Sequence, residues 1–166
     1  MVVERGTFED FARGAAPMLY RTAWLLTHEK HAAEDLVQET LTRVFPLWER
    51  AAHSIENPHG YARTTLVRIF LKARKRKNSG EVLLAELPES GLGGFENDHA
   101  TRLALRTEIQ RLGAIDRAIL VLRFYADRSV AEVSQDVGLS EAAVRSRSSR
   151  AVGLLRARLN PDVTTP

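Results

Sequence analysis

Apolar residues recur along this chain at helical spacing, and the pattern predicts an all-α fold. Phe8, Phe11, Ala15, Leu19, Ala23 and Leu26 form one stripe, predicting a first helix from Phe8 to Leu26. After a polar break at Thr27 to Lys30, the residues Leu36, Val37, Thr40, Leu41, Val44 and Leu47 predict a second helix from His31 to Trp48. Pro46 near its carboxyl end should bend or loosen the last turn, so Glu49 to Asn57 reads as a loop closed by Pro58. A third helix is expected from about Gly60 to Lys77, packed through Tyr61, Leu66, Ile69 and Phe70.

The character then changes. Gly80, Pro88, Gly91, Gly93 and Gly94 interrupt any helix, and the charges there are Glu81, Glu86, Glu89, Glu96 and Asp98. Such a stretch is long for a loop inside one compact domain, so it predicts an acidic linker between two small helical domains. The expected division is 1–77, a linker over 78–99, a second domain over 100–160 and a tail over 161–166. In the second domain Leu105, Ile109 and Leu112 would pack from one helix, and Ile119, Leu120, Leu122 and Phe124 from the next.

The end of that domain reads as a helix-turn-helix. Ser129 with Glu132 makes a capping box, Gly138 suits a left-handed stop, and Ser140 can cap the following helix. On that last helix Val144, Ala151, Leu155 and Leu159 face inward. The opposite side carries Ser146, Ser149 and Gly153, flanked by Arg145 and Arg156 on one edge and Arg150 on the other. A small centre with basic edges suits the major groove, while a solvated amphipathic helix is the plainer reading of a lone basic helix.

Composition narrows the choices. The 166-residue chain is 44% hydrophobic, ordinary for a folded protein, with a net charge of +3. It contains no cysteine, which excludes disulfides, a thiol nucleophile and Cys-based metal sites within the chain. No apolar stretch resembles a signal peptide or a membrane span, so a cytoplasmic location is expected. Charge is clustered: the third helix ends in Lys72, Arg74, Lys75, Arg76 and Lys77. That exceeds what a helix dipole asks for and points to phosphate, against the alternative of a solvated basic end.

Several segments together resemble the sigma-70 family of transcription initiation factors, in the extracytoplasmic-function (ECF) group that contains regions two and four. The run from Ala33 to Phe45 is similar to region 2.2, and the run from Asn57 to Arg63 to the entry of region 2.3. The runs Leu122 to Tyr125, Ser129 to Val133 and Val144 to Ala151 are similar to region 4. The resemblance implies docking on the beta-prime coiled coil of core RNA polymerase through Asp35, Gln38 and Glu39, whose spacing puts them on one helix face. A second polymerase contact, with the beta flap, follows from the same resemblance. It also implies a grip on the melted minus-ten strand near a loop of about Glu49 to His59, with Arg50, Asn57, Arg63, Arg68, Lys72, Arg74, Lys75, Arg76 and Lys77 as candidates. Duplex minus-thirty-five DNA would meet Arg145, Ser146, Arg147, Ser149 and Arg150. Arg147 lies nearer the packing side of the wheel and could hold a phosphate or a carboxylate of its own domain.

Two departures from the family pattern stand out. Ser148 points inward where relatives often carry an apolar residue, predicting looser packing, and the run Val67 to Lys72 is more apolar than expected where relatives place polar residues to read or melt DNA. The family habit of threading an acidic interdomain segment through polymerase fits the linker. Other partners implied are promoter DNA and an anti-sigma factor, with no membrane, no cofactor and no metal. There is no P-loop pattern or His-Glu-x-x-His pair, so no enzyme is expected. The competing readings are a stand-alone helix-turn-helix regulator acting as a dimer, and a sigma-like adaptor that does not open promoters.

Overall fold

The computed structural model describes residues 6–51, 54–77 and 99–161. The chain forms two compact units, Met1–Val82 and Leu83–Pro166. The expected linker falls outside the described residues except for its last residue, His99, which instead opens a helix. The expected tail is described only at Pro161.

Three helices build the first unit: α1 (Phe8–Thr27), α2 (Lys30–Ala51) and α3 (Pro58–Lys77). Thr7 and Asp10 start α1 with a reciprocal capping box, in which Thr7 Oγ1 accepts the Asp10 N–H and Asp10 Oδ2 accepts the Thr7 N–H. His28 ends it in the left-handed conformation, donating its N–H to the Trp24 carbonyl at 2.8 Å. Glu29 then caps α2, its carboxylate accepting the N–H groups of His31 and Ala32 at 2.9 and 2.6 Å. The bonds from Ala32 and His31 hold this carboxyl below its usual pKa.

The second helix runs on past Trp48, where the sequence placed its end, and continues to Ala51, so Pro46 lies inside it. A proline in a helix interior removes one hydrogen bond and crowds the preceding turn. Side-chain packing offsets that cost. Phe11 stacks on Trp48 with ring centroids 4.6 Å apart, and Phe8 meets Phe45 edge-on at 5.0 Å, fastening the last turns of α2 to α1.

The core of this unit joins Ala15, Leu19, Ala23 and Leu26 of α1 with Ala33, Leu36 and Val44 of α2 and Ala62, Leu66, Val67, Ile69 and Phe70 of α3. Buried Thr40 donates its hydroxyl to the Leu36 carbonyl at 2.7 Å, which lets a polar side chain sit in an apolar stripe. Leu47 and Tyr61, expected to pack, are instead exposed. The apolar run Val67 to Leu71 has a structural reason: Val67, Ile69 and Phe70 are buried core, while Arg68 and Lys72 face outward.

The second unit contains α4 (His99–Gln110), α5 (Ala114–Leu120), α6 (Val130–Val137) and α7 (Glu141–Leu159). After α5 the chain widens into one π turn, Val121–Tyr125, with the Ala126 N–H reaching the Val121 carbonyl at 2.9 Å. That turn keeps Val121 and Leu122 buried but leaves Phe124 62% exposed, against the expectation that it packs. Leu105 is exposed as well, and α4 carries no buried residue.

Arginines add polar ties to a core in which Ile119, Leu122, Val133 and Val144 are fully buried. The buried Arg117 guanidinium donates to the carbonyls of Ile109, Gln110 and Leu112 at 3.3, 2.7 and 3.0 Å, satisfying the last two acceptors of α4 and one in the turn that follows it. Arg128 Nε meets Asp136 Oδ2 at 2.8 Å, tying the entrance of α6 to its last turn. Arg158 reaches Glu108 from α7 at 3.3 Å. The helix-turn-helix has the expected local chemistry. Ser129 and Glu132 form the capping box, Gly138 has φ 71°, and Ser140 Oγ accepts the Ala143 N–H at 3.1 Å.

Candidate polymerase and nucleic-acid interfaces

Asp35, Gln38 and Glu39 are all exposed on one side of α2, opposite the buried line of Ala33, Leu36, Thr40 and Val44. Two acceptors and an amide therefore face solvent together. Glu39 already engages Arg43 Nη2 at 2.7 Å, a half-exposed pair that a stronger basic partner can displace at small cost. The same face continues through Thr42 to Phe45, which is 42% exposed although its other edge contacts Phe8. Phe45 escaped the sequence reading because neither its family match nor its place on the wheel marked it as functional. Its combination of exposure and continuity with Gln38 is visible only in the fold.

The nine candidates for single-stranded DNA divide into separate groups. Arg68, Lys72 and Lys75 lie at helical spacing on one exposed face of α3, with Arg76 on its edge. Tyr61 opens that face two turns before Arg68 and is 38% exposed. A ring followed by a row of cations is the arrangement that stacks a base and tracks a phosphate backbone. Tyr61 was assigned to packing because an aromatic at helical spacing looks the same in sequence whether it points in or out.

The remaining candidates lie elsewhere. Arg63 and Arg74 are half-buried on another flank of α3, where the Arg74 guanidinium sits over the Phe70 ring at 5.4 Å. Lys77 is exposed at the end of the helix. Arg50 belongs to the last turn of α2, not to a loop, and the connection between α2 and α3 shrinks to the residues between Ala51 and Pro58. Asn57 caps α3: its Oδ1 accepts the Gly60 N–H at 3.0 Å, so its amide oxygen is engaged within the chain. A Cβ at position 60 would come within 2.7 Å of Asn57 Nδ2, so glycine there lets the Asn57 side chain keep this capping position.

On α7 the exposed face carries Arg145, Ser146, Ser149, Arg150, Gly153 and Arg156. Arg145 contacts Glu141 at 3.2 Å in an exposed i,i+4 pair, so it stays available to a phosphate or base. Arg147 does not join this face. Its Nη1 meets Asp116 Oδ1 at 2.9 Å, binding α7 to α5. Ser148 is buried, 8% exposed, and its hydroxyl has no hydrogen-bond partner among the described residues.

Among the described residues no cluster of three His, Asp or Glu side chains could hold a metal ion. No described helix is long and apolar enough to cross a membrane.

Comparison with known proteins agrees with this geometry. The family model for Sigma-70 region 2 matches residues 11–80, and the model for Sigma-70, region 4 matches residues 109–157. The RNA polymerase sigma-E factor of Streptomyces coelicolor is 29% identical over 155 residues, covering 92% of this chain and 85% of the relative. The ECF RNA polymerase sigma factor SigL of Mycobacterium tuberculosis H37Rv is 30% identical over 148 residues, covering 87% and 84%. In fold the chain is similar to the sigma factor RpoE of Bartonella quintana, solved in complex with the anti-sigma factor NepR. The TM-score is 0.71 at 22% identity, over 93% of this chain and 98% of that one. Matched in both regions and in the same order over most of its length, the chain belongs to the sigma-70 family, in its ECF group.

Proposed function

We propose that this chain binds core RNA polymerase through the Asp35, Gln38 and Glu39 face of α2, extended by Phe45, and directs promoter-specific initiation through both units. The observation that carries this reading is that exposed acidic and basic faces lie on separate helices of a region-2 unit. One face suits a basic protein helix and the other a nucleic-acid strand. On α3, Tyr61 stacks a base of the separated minus-ten strand while Arg68, Lys72, Lys75 and Arg76 follow its phosphates. On α7, Arg145, Ser146, Ser149 and Arg150 meet duplex minus-thirty-five DNA, and Arg147 serves as an internal strut. Strand separation draws on binding energy, and the chain has no catalytic role. It works in the cytoplasm, where polymerase and promoter are found. An anti-sigma protein is part of the same reading, as one is bound to the similarly folded RpoE.

The test is binding of the full chain to purified bacterial core RNA polymerase, wild type against Asp35→Ala with Gln38→Ala. Both side chains are exposed, so the double variant keeps its fold. Charge-assisted bonds contribute about 1.5–3 kcal/mol each, so affinity should fall by at least about tenfold. A folded wild-type chain that binds duplex DNA but not core polymerase would overturn the proposal in favour of a stand-alone regulator.

A further inference from the structure

Two residues of α2 weaken the helix that carries them, and both lie on its exposed side. Pro46 stands in the helix interior, where it removes a hydrogen bond and crowds the preceding turn. Its side chain is exposed, so no core packing asks for it. Glu49 stands in the last turn before Ala51, where the partial negative charge of the helix end disfavours a carboxylate. It forms no ion pair among the described residues, and the positions three and four before it are Pro46 and Phe45, which offer no cation.

At 3.6 residues per turn, the arc of about 120° that holds Asp35, Gln38 and Glu39 also holds Phe45, Pro46 and Glu49. Arg43 and Arg50 border it on one side. The Phe45 ring is 42% exposed, with its other edge held against Phe8. Beside it the Pro46 ring adds apolar surface that has no rotamers to freeze on binding. The order along the helix is therefore acid, apolar step, acid, and from Asp35 to Glu49 it spans about 21 Å at 1.5 Å per residue.

We infer that the polymerase-docking face of α2 runs on through Pro46 to Glu49, which receives a second basic group of the same partner. This rests on the core-binding reading above. The occupant is a protein helix of core polymerase that presents an apolar side chain between two separated cations. Its apolar group packs on the Phe45 and Pro46 rings, and its far cation pairs with the Glu49 carboxylate. The two acidic ends differ, since Gln38 and Glu39 reinforce Asp35 while Glu49 stands alone, and that asymmetry fixes the direction in which the partner lies. Two choices that break the local rules of a helix thus have one explanation on its surface.

The test compares binding of the full chain to purified core RNA polymerase for wild type, Glu49→Gln and Pro46→Ala, with Asp35→Ala plus Gln38→Ala as reference, each beside its unfolding curve. Glu49→Gln should bind about threefold more weakly at low salt, a difference that closes as KCl is raised. Its unfolding midpoint should hold or rise. Pro46→Ala should also bind about threefold more weakly, yet unfold at higher denaturant, because alanine removes the helix penalty. Affinity and stability moving in opposite directions is the signature of a docking residue. Pro46→Ala with unchanged affinity, or with affinity and stability both lowered, takes Pro46 out of the face. Glu49→Gln that binds as tightly as wild type, while the reference variant is weakened, overturns the extension and leaves the shorter face standing. Wild type that does not bind core, or a reference variant that binds unchanged, sinks the core-binding reading instead. A dimer of the free chain in sedimentation that Glu49→Gln dissociates would give this face to a second copy and overturn its assignment to polymerase.

Discussion

The two units solve the same problem with different materials. In the first, long helices bury leucines, alanines and rings against one another, and the described charged groups cluster on outer faces. In the second, helices are mostly shorter, α4 buries nothing, and Arg117, Arg128, Arg147 and Arg158 add polar ties around a core that includes Ile119, Leu122, Val133 and Val144. Arginine thus has two placements in the second unit, as internal strut and as exposed side chain on α7.

Both tryptophans, Trp24 and Trp48, lie in the first unit, so their fluorescence follows its unfolding while circular dichroism follows both. Leu66→Ala empties a fully buried site in the first unit and should cost about 3–4 kcal/mol, shifting the fluorescence transition to lower denaturant. Asp136→Ala should cost the second unit about 3 kcal/mol, the low end for a broken buried pair because Arg128 keeps some contact with solvent. It should move the dichroism transition and leave fluorescence in place. If Asp136→Ala has no effect on either signal, the ionic struts are decoration and the contrast between the units collapses.

A smaller effect sharpens the division of labour on α7. Arg147→Ala should destabilise by less than about 1 kcal/mol, because its pair with Asp116 is partly exposed. It should leave the salt dependence of DNA binding unchanged. Arg150→Ala should do the reverse, lowering the magnitude of the salt slope by about 0.9 with no change in unfolding midpoint. Matching salt slopes in the two variants would erase the distinction between strut and ligand.

Helix identity was legible wherever period and caps agreed. The stripe from Phe11 to Leu26, the Ser129 capping box and the Gly138 stop all follow from local rules that the tertiary structure reinforces. Pro46 misled because its local penalty is offset by the Phe11–Trp48 stack, formed by residues far apart in sequence. Tyr61 and Phe124 misled because aromatic residues at helical spacing are ambiguous between core and surface, and the π turn changes the phase after Leu120. The inward aim of Ser148 and the partial withdrawal of Arg147 were readable from the helical wheel. Asp116 as the partner of Arg147, 31 residues away in sequence, was not. The division of the cations on α3 into an exposed row and an inner flank also needed the fold, because nothing in the run Lys72 to Lys77 distinguishes them.

Pro46 has one more effect. Lacking an N–H, it leaves the carbonyl of Thr42 without its usual helical donor, and Thr42 lies on the exposed face between Gln38 and Phe45. An acceptor supplied by the main chain survives replacement of the side chain that carries it. Genetic drift at position 42 therefore leaves this part of the surface intact, whereas replacing Pro46 with any other residue restores a donor and withdraws it.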